Sequence, residues 1–221
     1  MQYVKSEDYK KGAEDLAKKI IVELREGKKV LWLLTGGSSI PSCVDAMRIV
    51  KKEAPDLSRL TVTLTDERYG EVGHSDSSWK KLIDSGFDFE GVNTIPVLKG
   101  KSFADTAKDW EEDISKVFAD SDCIISQFGI GSDLHIAGII PESDGSEETS
   151  LVSYYSTGTF DRITLTFSAI IKIDIAFVFI FGDSKKGVVT KLRESTADPK
   201  KVPANILKSI PQVYIYTDQG E

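Results

Sequence analysis

Histidine and cysteine are scarce in this chain: two of each in 221 residues. Cys43 and Cys123 lie far apart in apolar surroundings, which excludes a disulfide framework and any metal-binding spacing. They read as reduced core thiols of a cytoplasmic protein, with no metal and no cofactor expected. Basic residues are outnumbered, 28 against 35 acids, for a net charge of -7. That balance excludes a nucleic-acid footprint spread over the whole chain. An anionic ligand would have to be met locally, by a few Lys, Arg and backbone N–H groups. Long apolar runs are absent too. The most apolar stretch, 170–181, is interrupted by Lys172 and Asp174 and is too short to cross a bilayer. The polar N-terminus does not read as a signal peptide, and there is no internal repeat or low-complexity segment.

What is present is the pattern of a globular chain, 40% hydrophobic and 29% charged, long enough to bury a full core. Residues 8–26 carry Ala13, Leu16, Ala17, Ile20, Ile21 and Leu24 at helical spacing, and Gly27 is a stop signal. Short β-branched or apolar strands are expected at 30–35, 60–65, 92–97, 122–128, 151–156, 162–168, 175–181 and 212–217. Helices are expected at 41–53, after His74, at 104–118, from the lysines after Gly182 to about Arg193, and briefly at 203–207. Strands alternating with helices predict an α/β fold: an open, mainly parallel sheet with helices on both faces, Rossmann-like, in three layers.

Four polar turns follow separate strands. Gly36-Gly37-Ser38-Ser39 joins a strand to a helix, where free N–H groups and the helix dipole suit a phosphate. It is neither a Walker A loop nor a dinucleotide fingerprint, so ATP and NAD are not indicated; a plain strand-to-helix connection fits it as well. Asp66-Glu67-Arg68 follows the second strand, and reads either as a set of substrate contacts or as a surface ion-pair cluster. Phe128-Gly129-Ile130-Gly131-Ser132-Asp133-Leu134-His135 places an acid two residues before a histidine. An unperturbed imidazole titrates near neutral pH and suits acid–base chemistry; it could equally cap a helix or satisfy a loop. Gly182-Asp183-Ser184-Lys185 ends the most apolar strand, with lysines that reach an anion or simply face solvent. At like ends of a parallel sheet these four turns would converge on one crevice. The acidic segment 142–148 reads as a polar, mobile surface loop.

These motifs, in this order, resemble the 6-phosphogluconolactonases, in the group that also includes the glucosamine-6-phosphate deaminases. Thr35-Gly36-Gly37-Ser38 is similar to the family's Ser-Gly-Gly-Ser turn, and Asp66-Glu67-Arg68 to its Asp-Glu-Arg. Asp76-Ser77-Ser78 resembles Asp-Ser-Asn, and 129–135 resembles Gly-x-Gly-x-Asp-Gly-His. Arg162-Ile163-Thr164-Leu165-Thr166 is similar to Arg-x-Thr-Leu-Thr, Gly182 to Lys185 to Gly-x-x-Lys, and Pro203 to Leu207 to a helix near the family's C-terminus. The resemblance covers nearly the whole chain, implying one domain over 1–221.

It further implies hydrolysis of 6-phosphogluconolactone in the pentose phosphate pathway, without metal or cofactor. His135 would activate water, and Asp133 would orient or stabilise the imidazole. Gly36, Gly37, Ser38, Asp66, Arg68, Arg162 and Lys185 would bind substrate and phosphate, and backbone N–H groups of the glycine turns would face the oxyanion. The implied partner is a small sugar phosphate, not nucleic acid or membrane, with the protein a monomer or small homo-oligomer. Leu134 departs from the family's glycine, a change that alters the local backbone or narrows the pocket. The deaminase branch fits less well, because Ile140 stands at its glutamate and Arg68 at its tyrosine. A third reading is a non-catalytic sugar-phosphate sensor.

Overall fold

The structure is a computed structural model that describes residues 1–146 and 149–219. Seven strands form one parallel sheet: β1 (Gln2–Lys5), β2 (Val30–Leu34), β3 (Leu60–Leu64), β5 (Asn93–Thr94), β6 (Cys123–Gly129), β9 (Ile175–Ile180) and β10 (Gln212–Thr217). Their spatial order is β1-β10-β9-β6-β2-β3-β5. From β2 the chain moves outward through β3, then returns to place β6 on the other side of β2. The switch point of the sheet therefore lies between β2 and β6, and open α/β sheets bind ligands beyond the carboxyl ends of strands at such a point.

Helices cover both faces, as alternation along the strands requires. Gln127 and Phe177 are paired across β6 and β9 and share one face. The buried thiol of Cys43, on α2 (Ile40–Glu53), packs against Gln127 there. On the same face Gly12, on α1 (Lys10–Arg25), lies so close to Phe179 and Tyr216 that a Cβ would come within 2.6 Å of the Phe179 ring. Thr63 and Ser126, both paired to Leu33, face the other way. There Trp110 of α4 (Phe103–Asp120), fully buried, donates its indole N–H to Thr63 Oγ1 at 3.2 Å.

A second sheet was not expected from the sequence. Three strands, β4 (Asp66–Arg68), β7 (Val152–Ser156) and β8 (Asp161–Leu165), form an antiparallel sheet in the order β4-β8-β7. A single residue, Thr65, separates β3 from β4, and its N–H bonds back to Leu34 O at 2.8 Å, so the small sheet grows directly from the carboxyl edge of the large one.

Several boundaries differ from expectation for identifiable reasons. The strand expected at 92–97 reduces to two residues, because Pro96 has no N–H to donate. Phe167 and Ser168 belong to the short helix α5 (Phe167–Ile170), not to the preceding strand. Gly187, in the left-handed region with φ 79°, separates a 3-10 turn at Asp183–Lys185 from α6 (Val188–Glu194). β1 is too short and polar to carry a recognisable period. The helix after His74 is α3 (Ser78–Asp84), capped by Ser77 Oγ accepting from Lys80 N. Of the acidic segment, Glu147 and Glu148 lie outside the described residues. Asp144–Ser146 form a 3-10 turn held to the small sheet by Ser153 Oγ, so this part is not a free loop.

Candidate active site

All four polar turns open on one cleft. Gly36, Gly37, Ser38, Asp66, Arg68, His135, Arg162 and Lys185 line it together, joined by Ser39, Ser78 and Ala137. Asp133 stands immediately behind His135. The first wall is the Thr35–Ser39 turn after β2. Gly37 has φ 66° there, a conformation that a Cβ would penalise, and the chain enters α2 through a 3-10 turn at Gly37–Ser39. The first amides of such a turn have no partner within the helix.

The second wall is the loop after β6. Gly131 N–H donates to His135 O at 3.1 Å and Leu134 N–H to Gly131 O at 3.0 Å, which closes a tight loop that presents the imidazole. Asp133 Oδ1 lies 2.6 Å from His135 Nδ1 and also accepts the His135 backbone N–H at 3.2 Å. The ionised carboxylate can only accept, so Nδ1 carries the proton and Nε2 is left as the basic nitrogen. Burial alone would raise the Asp133 carboxyl, but the adjacent imidazole and its hydrogen bonds outweigh that and hold it below the usual range. Gly131 is needed for space: a Cβ there would sit 2.1 Å from His135 Nδ1 and 2.5 Å from Asp133 Oδ1. Gly129 and Gly131 permit close approach, while the left-handed residues of the loop are Leu134 (φ 67°) and Ala137 (φ 49°).

Leu134 does not narrow the cleft. It keeps the backbone geometry that a glycine would supply, and its side chain, 7% exposed, joins the hydrophobic core. Gly131 N–H is committed to His135 O, so it is not free for an oxyanion.

β4 and β8 form the third wall. Alternation sends Asp66 and Arg68 toward the cleft and Glu67 away from it. Glu67 is fully buried and accepts from Ser77 Oγ (2.8 Å), Ser78 N (2.6 Å), Trp79 N (3.1 Å) and Arg68 N (2.8 Å). This acid is therefore neither a substrate contact nor part of a surface ion-pair cluster; it holds the start of α3. Arg162 faces Asp66 at 3.9 Å, with both side chains largely buried. Burial pushes the Asp66 carboxyl up, opposed chiefly by Arg162. Lys185 Nζ donates to Ile130 O at 2.5 Å, and burial lowers its pKa against the pull of Asp133. The site thus sets a basic nitrogen beside three cationic side chains in a cleft without a cluster of metal-ligating groups among the described residues.

Sequence reasoning did not single out Ser78 or Ala137 as site residues. Ser78 is one residue beyond the cap of α3, and its Oγ stands where a Cβ on Gly36 would come within 2.4 Å. The Asp76-Ser77-Ser78 run was its only signal. The other histidine, His74, lies outside the cleft lining. Its Nδ1 accepts from Asp76 N and its Nε2 faces Arg68 O at 3.0 Å, a structural role behind β4.

The fold and site define an α/β protein with a cation-lined cleft at the switch point of its parallel sheet. The chain belongs to the glucosamine-6-phosphate isomerase/6-phosphogluconolactonase family, whose model matches residues 5–215. It is 25% identical over 193 residues to a 6-phosphogluconolactonase of Helicobacter pylori, covering 84% of this chain and 82% of the relative. It is 24% identical over 208 residues to a glucosamine-6-phosphate deaminase of Staphylococcus saprophyticus, covering 85% and 84%. The fold matches the crystal structure of a 6-phosphogluconolactonase from Shewanella baltica with a TM-score of 0.83, at 20% identity over 98% of this chain and 97% of that one.

Proposed function

We propose that the chain is a lactonase that hydrolyses 6-phosphogluconolactone to 6-phosphogluconate in the pentose phosphate pathway. The observation that carries this reading is the Asp133–His135 pair, with Nδ1–H held by the carboxylate and Nε2 left basic in a cleft that also holds Arg68, Arg162 and Lys185. In the proposed step His135 Nε2 takes a proton from water as its oxygen attacks the lactone carbonyl. Asp133 stabilises the resulting imidazolium. Backbone N–H groups of the glycine turns that face the carbonyl, Gly131 excepted, receive the oxyanion. Collapse of the tetrahedral intermediate breaks the bond to the ring oxygen, which leaves with the proton from Nε2. The phosphate is held by Gly36, Gly37, Ser38 and the three cations, with arginine suited to bidentate contact; Asp66 lines the sugar site and balances Arg162.

Membership of a family that spans both activities leaves the deaminase branch as the second reading. Two side chains argue against it: Ile140 cannot relay a proton, and Arg68 stands where that branch carries tyrosine. The reading is of one catalytic domain acting on a small sugar phosphate in the cytoplasm, as a monomer or small homo-oligomer. No helix among the described residues is long and apolar enough to cross a membrane.

The test is hydrolysis of freshly generated 6-phosphogluconolactone, with the spontaneous rate subtracted. His135→Ala should lower kcat by about 10²-fold or more. Near-normal turnover in the folded variant removes His135 from the role of base. No acceleration by the wild type, with release of ammonia from glucosamine 6-phosphate, moves the chain to the other branch; binding without turnover of either makes it a sensor.

A further inference from the structure

Arg68 and Arg162 are direct partners across the antiparallel pair of β4 and β8. Like charges in such a pair repel, and each guanidinium has one acid beside it. Asp76 Oδ1 lies 3.4 Å from Arg68, and Asp66 Oδ2 lies 3.9 Å from Arg162. Arg162 Nε is buried and without a hydrogen-bond partner among the described residues. What the two guanidinium groups share is a ring. The Phe160 ring centroid lies 4.1 Å from Arg68 Cζ and 5.9 Å from Arg162 Cζ, both within the range of cation–π attraction.

Phe160 is itself held by a short turn between β7 and β8. Thr157 N–H donates to Phe160 O at 2.9 Å, Phe160 N–H donates to Thr157 Oγ1 at 3.0 Å, and the Thr157 hydroxyl returns to Phe160 O at 2.9 Å. Gly158, with φ 80°, supplies the left-handed residue that this turn needs. Phe160 does not line the cleft, yet its aromatic face contacts the guanidinium groups of two residues that do.

We propose that Phe160 is a positioning residue for the phosphate half of the site: its ring holds Arg68 and Arg162 side by side, against their mutual repulsion, so that a phosphate finds both preorganised. This rests on the reading of the cleft as a sugar-phosphate site. The prediction separates ring from bulk. In Phe160→Leu the apolar volume is largely kept and the π face is lost; in Phe160→Tyr the face remains.

The experiment measures binding of 6-phosphogluconate and of inorganic phosphate by calorimetry, which needs no turnover, together with hydrolysis of phosphorylated and unphosphorylated gluconolactone. Phe160→Leu should raise the Kd for 6-phosphogluconate and the KM for the phosphorylated lactone by about three- to tenfold. Its kcat and its kinetics with the unphosphorylated lactone should stay near those of wild type, and Phe160→Tyr should restore the affinity. Unchanged affinity in Phe160→Leu overturns the proposal. So does an equal loss on both lactones, or a failure of tyrosine to rescue, since either marks the ring as mere packing. Wild-type protein that binds 6-phosphogluconate in a Phe160-dependent way but hydrolyses no lactone overturns the catalytic reading and leaves this one standing. Wild-type protein that binds neither anion overturns both.

Discussion

At the scale of single residues, Leu134 shows what a departure from a motif does physically. The position needs a left-handed backbone, and a leucine occupies it at φ 67°. That conformation costs an L-residue about 1–2 kcal/mol, while burying the leucine side chain returns about 1.5–3 kcal/mol. The two nearly offset, so removing each separately gives an unusual order. Leu134→Ala loses the packing and keeps the strain, and should cost about 2–5 kcal/mol, as buried leucine truncations do. Leu134→Gly loses the same packing but relieves the strain, and should be more stable than the alanine variant. In an ordinary buried position glycine would be the worse of the two. Urea unfolding of the three proteins checks this; alanine above glycine would show that the backbone at 134 is not strained. Hydrolysis should survive in the glycine variant, because the leucine side chain points into the core rather than the cleft. The pairing of Asp133 with His135 was legible in the sequence, since it depends on residue type and close spacing. The direction of the Leu134 side chain was not, because it depends on what packs beneath the loop.

Among the elements, the junction of β6 with α2 ties one wall of the site to another through a buried polar network. Gln127, fully buried on β6, donates to Ser42 Oγ at 2.5 Å and to Ser39 O at 3.2 Å, and its Oε1 accepts from Cys43 Sγ at 3.2 Å. Burial raises the Cys43 thiol to about 12, so it stays protonated and able to donate. Gln127→Leu would take one donor from the Ser39 carbonyl and one from the Ser42 hydroxyl, and leave the thiol only its longer contact with Thr35 O at 3.7 Å. Losing these buried hydrogen bonds should cost about 0.5–1.5 kcal/mol for each, to be read as a lower urea midpoint with an unchanged denaturant slope. An equally stable leucine variant would show that the network is replaceable by packing. Helices α1, α2 and α4 and the long buried strands were legible because their apolar periods are strong. The antiparallel β4-β8-β7 sheet was hidden: β4 is three charged residues, and its pairing with β8 joins residues 94 to 98 positions apart, Asp66 with Thr164 at one end and Arg68 with Arg162 at the other. No local pattern reports such a partner.

For the molecule as a whole, convergence of four turns at the switch point follows from parallel strand order, and alternating strands and helices were enough to anticipate it. What the sequence could not anticipate is how much charge the fold takes out of water to build the cleft. Glu67 is buried and Asp66 largely so, and both carboxyls are raised above their ordinary values, burial being the largest cause in each. A group whose folded pKa is raised binds its proton more tightly in the native state than in the unfolded chain. Its contribution to stability is present below the unfolded carboxylate range, near about pH 4, and is lost as pH rises through the raised folded value. Glu67 isolates this term, because glutamine has nearly the shape of the protonated acid and carries no charge. The stability of wild type relative to Glu67→Gln should therefore decline as pH rises above the unfolded glutamate range, near about pH 4.5, measured by urea unfolding at each pH. The opposing effect is that an ionised Glu67 accepts from four donors, and charge-assisted bonds are the stronger kind. If those four bonds outweigh burial, the relative stability of wild type will rise with pH instead, and Glu67 will prove to be a carboxylate that the start of α3 holds ionised.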